Sequence, residues 1–287
     1  MKKILLALMA FGAFNTWEVN AAGDGTVCKS IDEAISTGNL TEVIRFVEEE
    51  GIDVNAKLYN GTLLHAAAGD GHLDIVRYLC EHGADGEKEN HDHLPPIYLA
   101  ACYGQLEVVK YLYDKYYADD PSKDDKILEA LTSAAECGHL EVVKYLASQR
   151  NLDINQGDST PLTAAARQGH LDVVKYLVEE LHANVEAKDR SGSTALIDAA
   201  WQGHLDVLRY LCEECNANVD AVDNSGESAI IKAYDCIHLD VIKYLYETQH
   251  ANIYATNRNG KTIFDRVKNE KYRNADLWEY LNQIENQ

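Results

Sequence analysis

The chain has 287 residues, with 47 Asp and Glu against 26 Lys and Arg, for a formal charge of −21. A surface this negative repels phosphate backbones, which excludes nucleic-acid binding as the leading function. At 46% hydrophobic and 25% charged residues the chain can bury a core, which excludes wholesale disorder as well.

In chain order, residues 1–21 read as an export signal. Met1-Lys2-Lys3 is a short basic start, Ile4 to Phe14 is an apolar run, and Val19-Asn20-Ala21 places short side chains at a cleavage point after Ala21. The run is too short for a bilayer core, which needs about 20 residues, so no stable membrane insertion is expected. The segment resembles a bacterial signal peptide, and the expected localisation is periplasmic or secreted. Cys28 follows Val27 rather than a small residue, which does not suit a lipoprotein anchor. Residues 22–28 read as a linker.

From residue 29 onward one phrase recurs: GNLTEVIRF at Gly38, GHLDIVRYL at Gly71, GQLEVVKYL at Gly104, GHLEVVKYL at Gly138, GHLDVVKYL at Gly169, GHLDVLRYL at Gly203 and IHLDVIKYL at Ile237. The starts are spaced by 33, 33, 34, 31, 34 and 34 residues. Apolar positions such as Leu73, Val76 and Leu79 recur at helical spacing, so each phrase predicts a helix with one apolar face. Upstream of most phrases lies a shorter Ala-rich helical segment, for example Leu64 to Ala68 and Leu162 to Ala166. Two short helices per period cannot bury their faces alone, whereas stacked neighbours share a continuous core. The predicted class is therefore all-α, an α-solenoid of about seven helix-turn-helix repeats.

The entries Thr62-Leu63-Leu64-His65-Ala66-Ala67, Thr160-Pro161-Leu162-Thr163-Ala164-Ala165 and Thr194-Ala195-Leu196-Ile197-Asp198-Ala199, together with the G-H-L phrases and endings such as Ala217-Asn218-Val219-Asp220-Ala221, resemble ankyrin repeats. The resemblance covers roughly Ser30 to Ile284. It divides the chain into repeats of approximately 29–56, 57–89, 90–122, 123–156, 157–188, 189–222 and 223–256, with a polar C-terminal cap at 257–287.

Departures from the pattern carry expectations of their own. The family's turn-stabilising His is kept only at His65; the equivalent positions hold Tyr98, Thr132, Thr163, Ile197 and Ile231, and the turn hydrogen bond is expected to be lost there. The short interval before Gly169 is expected to remove a hairpin tip at Asn151–Ser159. With the polar linker Asp119 to Asp125, this predicts an irregularity around residues 116–160. Every second helix carries an acid three residues before a base (Glu42/Arg45, Asp74/Arg77, Glu107/Lys110, Glu141/Lys144, Asp172/Lys175, Asp206/Arg209, Asp240/Lys243), which reads as a solvated face worth ~0.2–0.5 kcal/mol per pair. The remaining carboxylate excess is free for loops and the binding side, which points to a partner with a basic surface.

No enzyme is predicted, and no cofactor or metal. Gly23 to Ser30 resembles a phosphate loop, but Cys28 replaces its second Gly and no strand precedes it. His91-Asp92-His93 with Glu87 and Glu89 reads as an exposed acidic loop rather than a metal site. Cys212-Glu213-Glu214-Cys215 has redox spacing, but a helix C-terminus and two flanking acids raise thiol pKa, against reactivity. The once-per-repeat tyrosines from Tyr78 to Tyr244 read as helix packing.

Residues that break the repeat are more informative. The resemblance implies binding through the two positions after each inner Ala-Ala and through the loop tips, on a concave face. Applied to this sequence, those positions give Tyr59, His91, Tyr103, Arg167, Arg190, Trp201, Asn224, Asp235 and Arg258 as the partner-binding set, with Trp201 and Tyr103 as aromatic anchors. The expected function is noncatalytic binding of a protein partner by an exported acidic monomer, as a host-interaction factor. An inhibitor or immunity protein against a basic toxin is one alternative, and a redox or stress-protective protein using Cys212 and Cys215 is another.

Overall fold

The computed structural model describes residues 30–58, 61–267 and 275–286. The signal segment 1–21, the linker 22–28, the Gly23 to Lys29 stretch and Tyr59 lie outside the described residues. Two compact units emerge, and the all-α class read from the repeats is the one observed. The first unit reaches Ala100 and adds Glu107–Tyr116. It holds α1 (Ile31–Ser36), α2 (Leu40–Glu48), the short antiparallel pair β1 (Lys57–Leu58) and β2 (Gly61–Thr62), α3 (Leu63–Asp70), α4 (Leu73–Glu81), and most of α5 (Pro96–Cys102) and α6 (Leu106–Tyr116). The second contains α7 (Asp124–Glu136), α8 (Leu140–Gln149), α9 (Pro161–Gln168), α10 (Leu171–Glu179), α11 (Ala195–Gln202), α12 (Leu205–Glu213), α13 (Ala229–Asp235), α14 (Leu239–Lys243), α15 (Ile263–Val267) and α16 (Ala275–Glu285).

Odd and even helices divide the work. In the second unit the inner helices α7, α9, α11 and α13 pack in series, and each pairs with the outer helix that follows it. Alanine makes the close approach possible: Ala134, Ala135, Ala164, Ala165, Ala166, Ala199, Ala200 and Ala233 are all fully buried. The outer helices bury branched residues instead, such as Val173, Val174 and Leu177. In the first unit α1 packs on α3 and α2 on α4 by the same scheme.

The G-H-L phrase acts as a clip between repeats. Its Gly ends the inner helix with positive φ, +79° at Gly169 for example, and the next repeat's His ring lies against it. A Cβ at Gly169 would stand 2.5 Å from His204 Nδ1, so only glycine fits both the backbone and the neighbour. The clip is completed by imidazole contacts to the previous repeat's carbonyls: His72 to Ser36, His170 to Glu136 at 3.0 Å and His204 to Arg167 at 3.1 Å. Ile237 takes the glycine position of the last phrase at φ 65°. A β-branched residue in the left-handed region costs about 1–2 kcal/mol. Ile237→Gly should therefore raise stability by about 1 kcal/mol, read as a shifted urea midpoint with an unchanged m-value; an unchanged midpoint would deny the strain.

The acid–base pairs form only where the acid is Glu. Arg45–Glu42, Lys110–Glu107 and Lys144–Glu141 lie at 3.0, 2.7 and 2.8 Å. In the Asp copies the shorter side chain turns back onto the helix start: Asp74, Asp172, Asp206 and Asp240 accept the next residue's N–H at 2.8–2.9 Å. Their bases lie over rings of the next repeat, with Arg77 over Tyr111, Lys175 over Tyr210, Arg209 over Tyr244 and Lys243 over Tyr280, as does Lys144 of a Glu copy over Tyr176. Several ring hydroxyls in turn donate to the preceding repeat's Glu, as in Tyr210–Glu179 at 3.0 Å and Tyr244–Glu213 at 2.7 Å. The tyrosine series thus packs the helices and also clamps consecutive repeats.

The missing turn histidines are partly replaced. His65 Nδ1 meets Thr62 N–H at 3.1 Å, and its Nε2 reaches the Leu94 carbonyl at 3.0 Å. Contrary to expectation, the turn bond survives at Thr163, whose Oγ1 accepts the Thr160 N–H at 3.0 Å, whereas Thr132 lies inside α7. In the cap, Asp265 accepts the Thr262 N–H in the same way. The segment 117–124 contains a 3₁₀ turn at Pro121–Lys123 and is held by Arg150, which donates to the carbonyls of Tyr117, Ala118 and Asp120 and to the Asp124 carboxylate. The cap buries Ile263, Phe264, Val267, Leu277, Leu281 and Ile284.

Candidate functional site

The loop tips are built alike. An Asx side chain accepts two backbone N–H groups at each: Asn90 from Asp92 and Leu94, Asp189 from Ser191 and Ser193, Asp223 from Ser225 and Glu227, Asn257 from Asn259 and Lys261. This short-range bonding holds each tip without help from the core. In the second unit the tips also join one another. Arg190 donates its N–H to the Asp158 carbonyl and its guanidinium to the Asp158 carboxylate, Asn224 donates to the carbonyls of Ser191 and Arg190, and Arg258 donates to the Ser225 carbonyl. The shortened loop at Asn151–Ser159 therefore still supplies a tip rung through Asp158.

Arg190, Asn224 and Arg258 are exposed at these tips, and His91 is exposed at its own tip in the first unit. Tyr103 and Trp201 are half-buried, at the inner-helix ends where the repeat pattern changes residue from copy to copy. Trp201 lies in α11, the repeat whose tip carries Arg190.

Arg167 and Asp235 occupy the same inner-helix slot as Trp201, but their charges are used inside the protein. Arg167 donates to Asp198 through Nε at 3.1 Å and Nη2 at 2.7 Å, and through Nη2 to Asp189 at 2.8 Å. Asp235 pairs with Arg266. One repeat along from Asp198, Lys232 reaches Asp223 at 2.8 Å and Glu227 at 2.7 Å. Burial pushes the Asp198 carboxyl up to about 6, against the pull of Arg167. Burial alone would lower Lys232, yet its bonds to Asp223 and Glu227 carry it above the usual lysine value.

The partners in this row were not among the sequence-derived residues. Asp198, Lys232 and Arg266 fill one slot in three successive copies, a slot held by Ala66 and Ala164 elsewhere. A charge replacing alanine on the tightest-packed helix face was the available signal: it had to find a partner, in the preceding repeat for Asp198 and Arg266 and in its own repeat's tip for Lys232.

The Cys212/Cys215 pair has the opposite electrostatics to a reactive thiol site. Burial, then the Glu213 carboxylate, pushes Cys212 up to about 12, and burial also raises Cys215. At the loop proposed against metal binding, His93 Nδ1 lies 3.2 Å from Glu89 while Asn90 holds the turn.

The ankyrin-repeat family model matches in three copies, over residues 31–125, 118–189 and 180–259. Human ASB11's ankyrin repeat domain is similar in structure, with a TM-score of 0.58 and 26% identity over 72% of this chain and 92% of that one. Protein phosphatase 1 regulatory subunit 27 of Homo sapiens is 39% identical over 79 residues, 27% of this chain and 51% of that protein. Alpha-latrocrustotoxin-Lt1a of Latrodectus tredecimguttatus is 31% identical over 122 residues, 42% of this chain and 8% of the toxin. The chain spans about half or less of the length of the curated relatives it matches. The family model covers residues 31–259, most of the sequence, and the chain belongs to the ankyrin repeat family.

Proposed function

We propose that this protein is an exported, noncatalytic scaffold that binds a basic protein partner through its variable inner-helix ends and loop tips, as a host-interaction factor. Ankyrin repeats are protein-binding modules, and the observation that carries the reading is local to the second unit. The clips and tip ladders give successive copies the same backbone, while the side chain at one inner-helix slot changes from Arg167 to Trp201 to Asp235. A rigid frame with one variable slot loses little entropy on binding and concentrates specificity in a few side chains. Trp201 and Tyr103 are the anchors, with Arg190, Asn224 and Arg258 at the rim. The sequence-derived set also includes Tyr59 and His91, of which His91 is exposed at its own tip. Arg167 and Asp235 contribute chiefly by holding neighbouring repeats. The net charge of −21 favours encounter with a basic surface.

The experiment immobilises the chain beside a Trp201→Asp/Tyr103→Asp variant and identifies what the wild type alone retains from host and periplasmic extracts. For the partner so found, Trp201→Ala should weaken binding about 30-fold, as expected of a central aromatic anchor, and affinity should fall with added salt. Unchanged affinity in Trp201→Ala would remove the centre of the proposed strip, and salt-independent binding would remove the basic partner. Export has a separate readout: a chain produced in a secreting bacterium should begin at Ala22, and an intact Met1 terminus in the extracted protein would dismiss it.

A further inference from the structure

Cys102 ends α5, and Cys137 directly follows α7. They are 35 positions apart, yet their Sγ atoms lie 3.1 Å from each other with both thiols reduced. A disulfide bond is about 2.05 Å long, so an approach of roughly 1 Å would join them. The proximity follows from the stack itself. One repeat further on, the same two slots hold Glu136 and Gln168, and those side chains also meet, at 3.4 Å. The clip histidines fix both rungs, His139 on the Cys102 carbonyl and His170 on the Glu136 carbonyl at 3.0 Å.

Proximity singles this pair out from Cys80, Cys212 and Cys215. Cys102 is 7% exposed, and Cys137 is half-buried, so a small reagent reaches the pair from the Cys137 side. The shared hydrogen bond from Cys137, with a second from Ser133, lowers the Cys102 pKa, while that same bond and burial raise Cys137, so Cys102 is the sulfur that ionises first. At Cys80, Cys212 and Cys215 burial raises the thiol pKa.

We propose that Cys102 and Cys137 are a redox-responsive pair that closes into an inter-repeat disulfide when the chain meets a small disulfide such as oxidised glutathione. One protein thiolate attacks the S–S bond of glutathione and forms a mixed disulfide, expelling one glutathione thiolate that takes up the proton. The other protein sulfur then attacks the mixed disulfide, gives up its own proton and releases the second glutathione. Two protein thiols are oxidised, and one glutathione disulfide is reduced to two thiols. The bond pins the ends of two adjacent inner helices, one residue before Tyr103 and one after Glu136. It requires no partner protein and stands apart from the function proposed above.

The test uses the reduced full chain, incubated with oxidised glutathione at low protein concentration, alkylated, digested and mapped by mass spectrometry. The expected result is one cross-linked Cys102–Cys137 peptide lighter by two hydrogens, with Cys212 and Cys215 recovered singly alkylated. The oxidised chain should melt about 5–10 °C higher, reversibly with dithiothreitol, and Cys137→Ser should lose that shift. Recovery of Cys102 and Cys137 as separate alkylated or glutathionylated peptides would overturn the proposal, as would a cross-link between Cys212 and Cys215 in their place. The wild-type peptide map decides the matter even if the serine variant folds poorly.

Discussion

Arg167→Leu is expected to lower stability by about 2–4 kcal/mol at neutral pH, and by clearly less near pH 5. The substitution removes the cation that Asp198 and Asp189 share, and Asp198 is 1% exposed. Stranding a buried carboxylate costs more than losing an exposed ion pair, because neither water nor a counter-ion replaces the lost partner. The pH dependence follows from Asp198. Burial already raises its carboxyl to about 6 with Arg167 present, so the folded state holds a proton that the unfolded state gives up near 4. A group of this kind binds more protons when folded, and stability falls as pH rises between about 4 and about 6. Without Arg167 the folded pKa rises further and the loss continues above 6, so wild type and variant diverge most at neutral pH and above. Denaturant melts at pH 5 and pH 7.5 check this. A penalty equal at both would mean that Asp198 stays ionised and solvated in the variant. Asp198→Asn should flatten the wild-type slope between pH 4 and 6.

Gly169→Ala is expected to cost about 2–4 kcal/mol, a large effect for a single methyl. The residue sits at φ +79°, where a Cβ costs about 1–2 kcal/mol. The methyl would also meet His204 Nδ1 at 2.5 Å, and moving that ring breaks its bond to the Arg167 carbonyl. Gly51 is the internal control, since φ is +73° there and a Cβ would meet nothing within 4 Å. Gly51→Ala should show the backbone cost alone. Equal losses at the two sites would mean that the histidine clip contributes nothing.

Both predictions concern groups whose positions could be read from the repeat while their partners could not. The phased phrases specify the helix pairs, the buried alanines and the glycine that ends each inner helix, because these depend on local backbone preference and on an apolar face recurring at helical spacing. Trp201, Tyr103 and the tips were legible for the same reason, as departures from a repeated template. The acid–base pairs illustrate the limit. Spacing alone makes Asp74/Arg77 and Glu107/Lys110 equivalent, but one methylene decides whether the carboxylate meets its base or turns to the helix start.

The sequence by itself determined the period, the all-α repeat class and the slots that vary. Only the tertiary structure decided what stands opposite each slot: Arg167 on Asp198, His204 on Gly169, Cys137 beside Cys102. These rungs join residues 31–35 positions apart, and the period tells that repeats stack but not by what lateral offset. That offset is set by how closely the alanine-faced inner helices pack, and it decides which side chain of one copy faces which of the next.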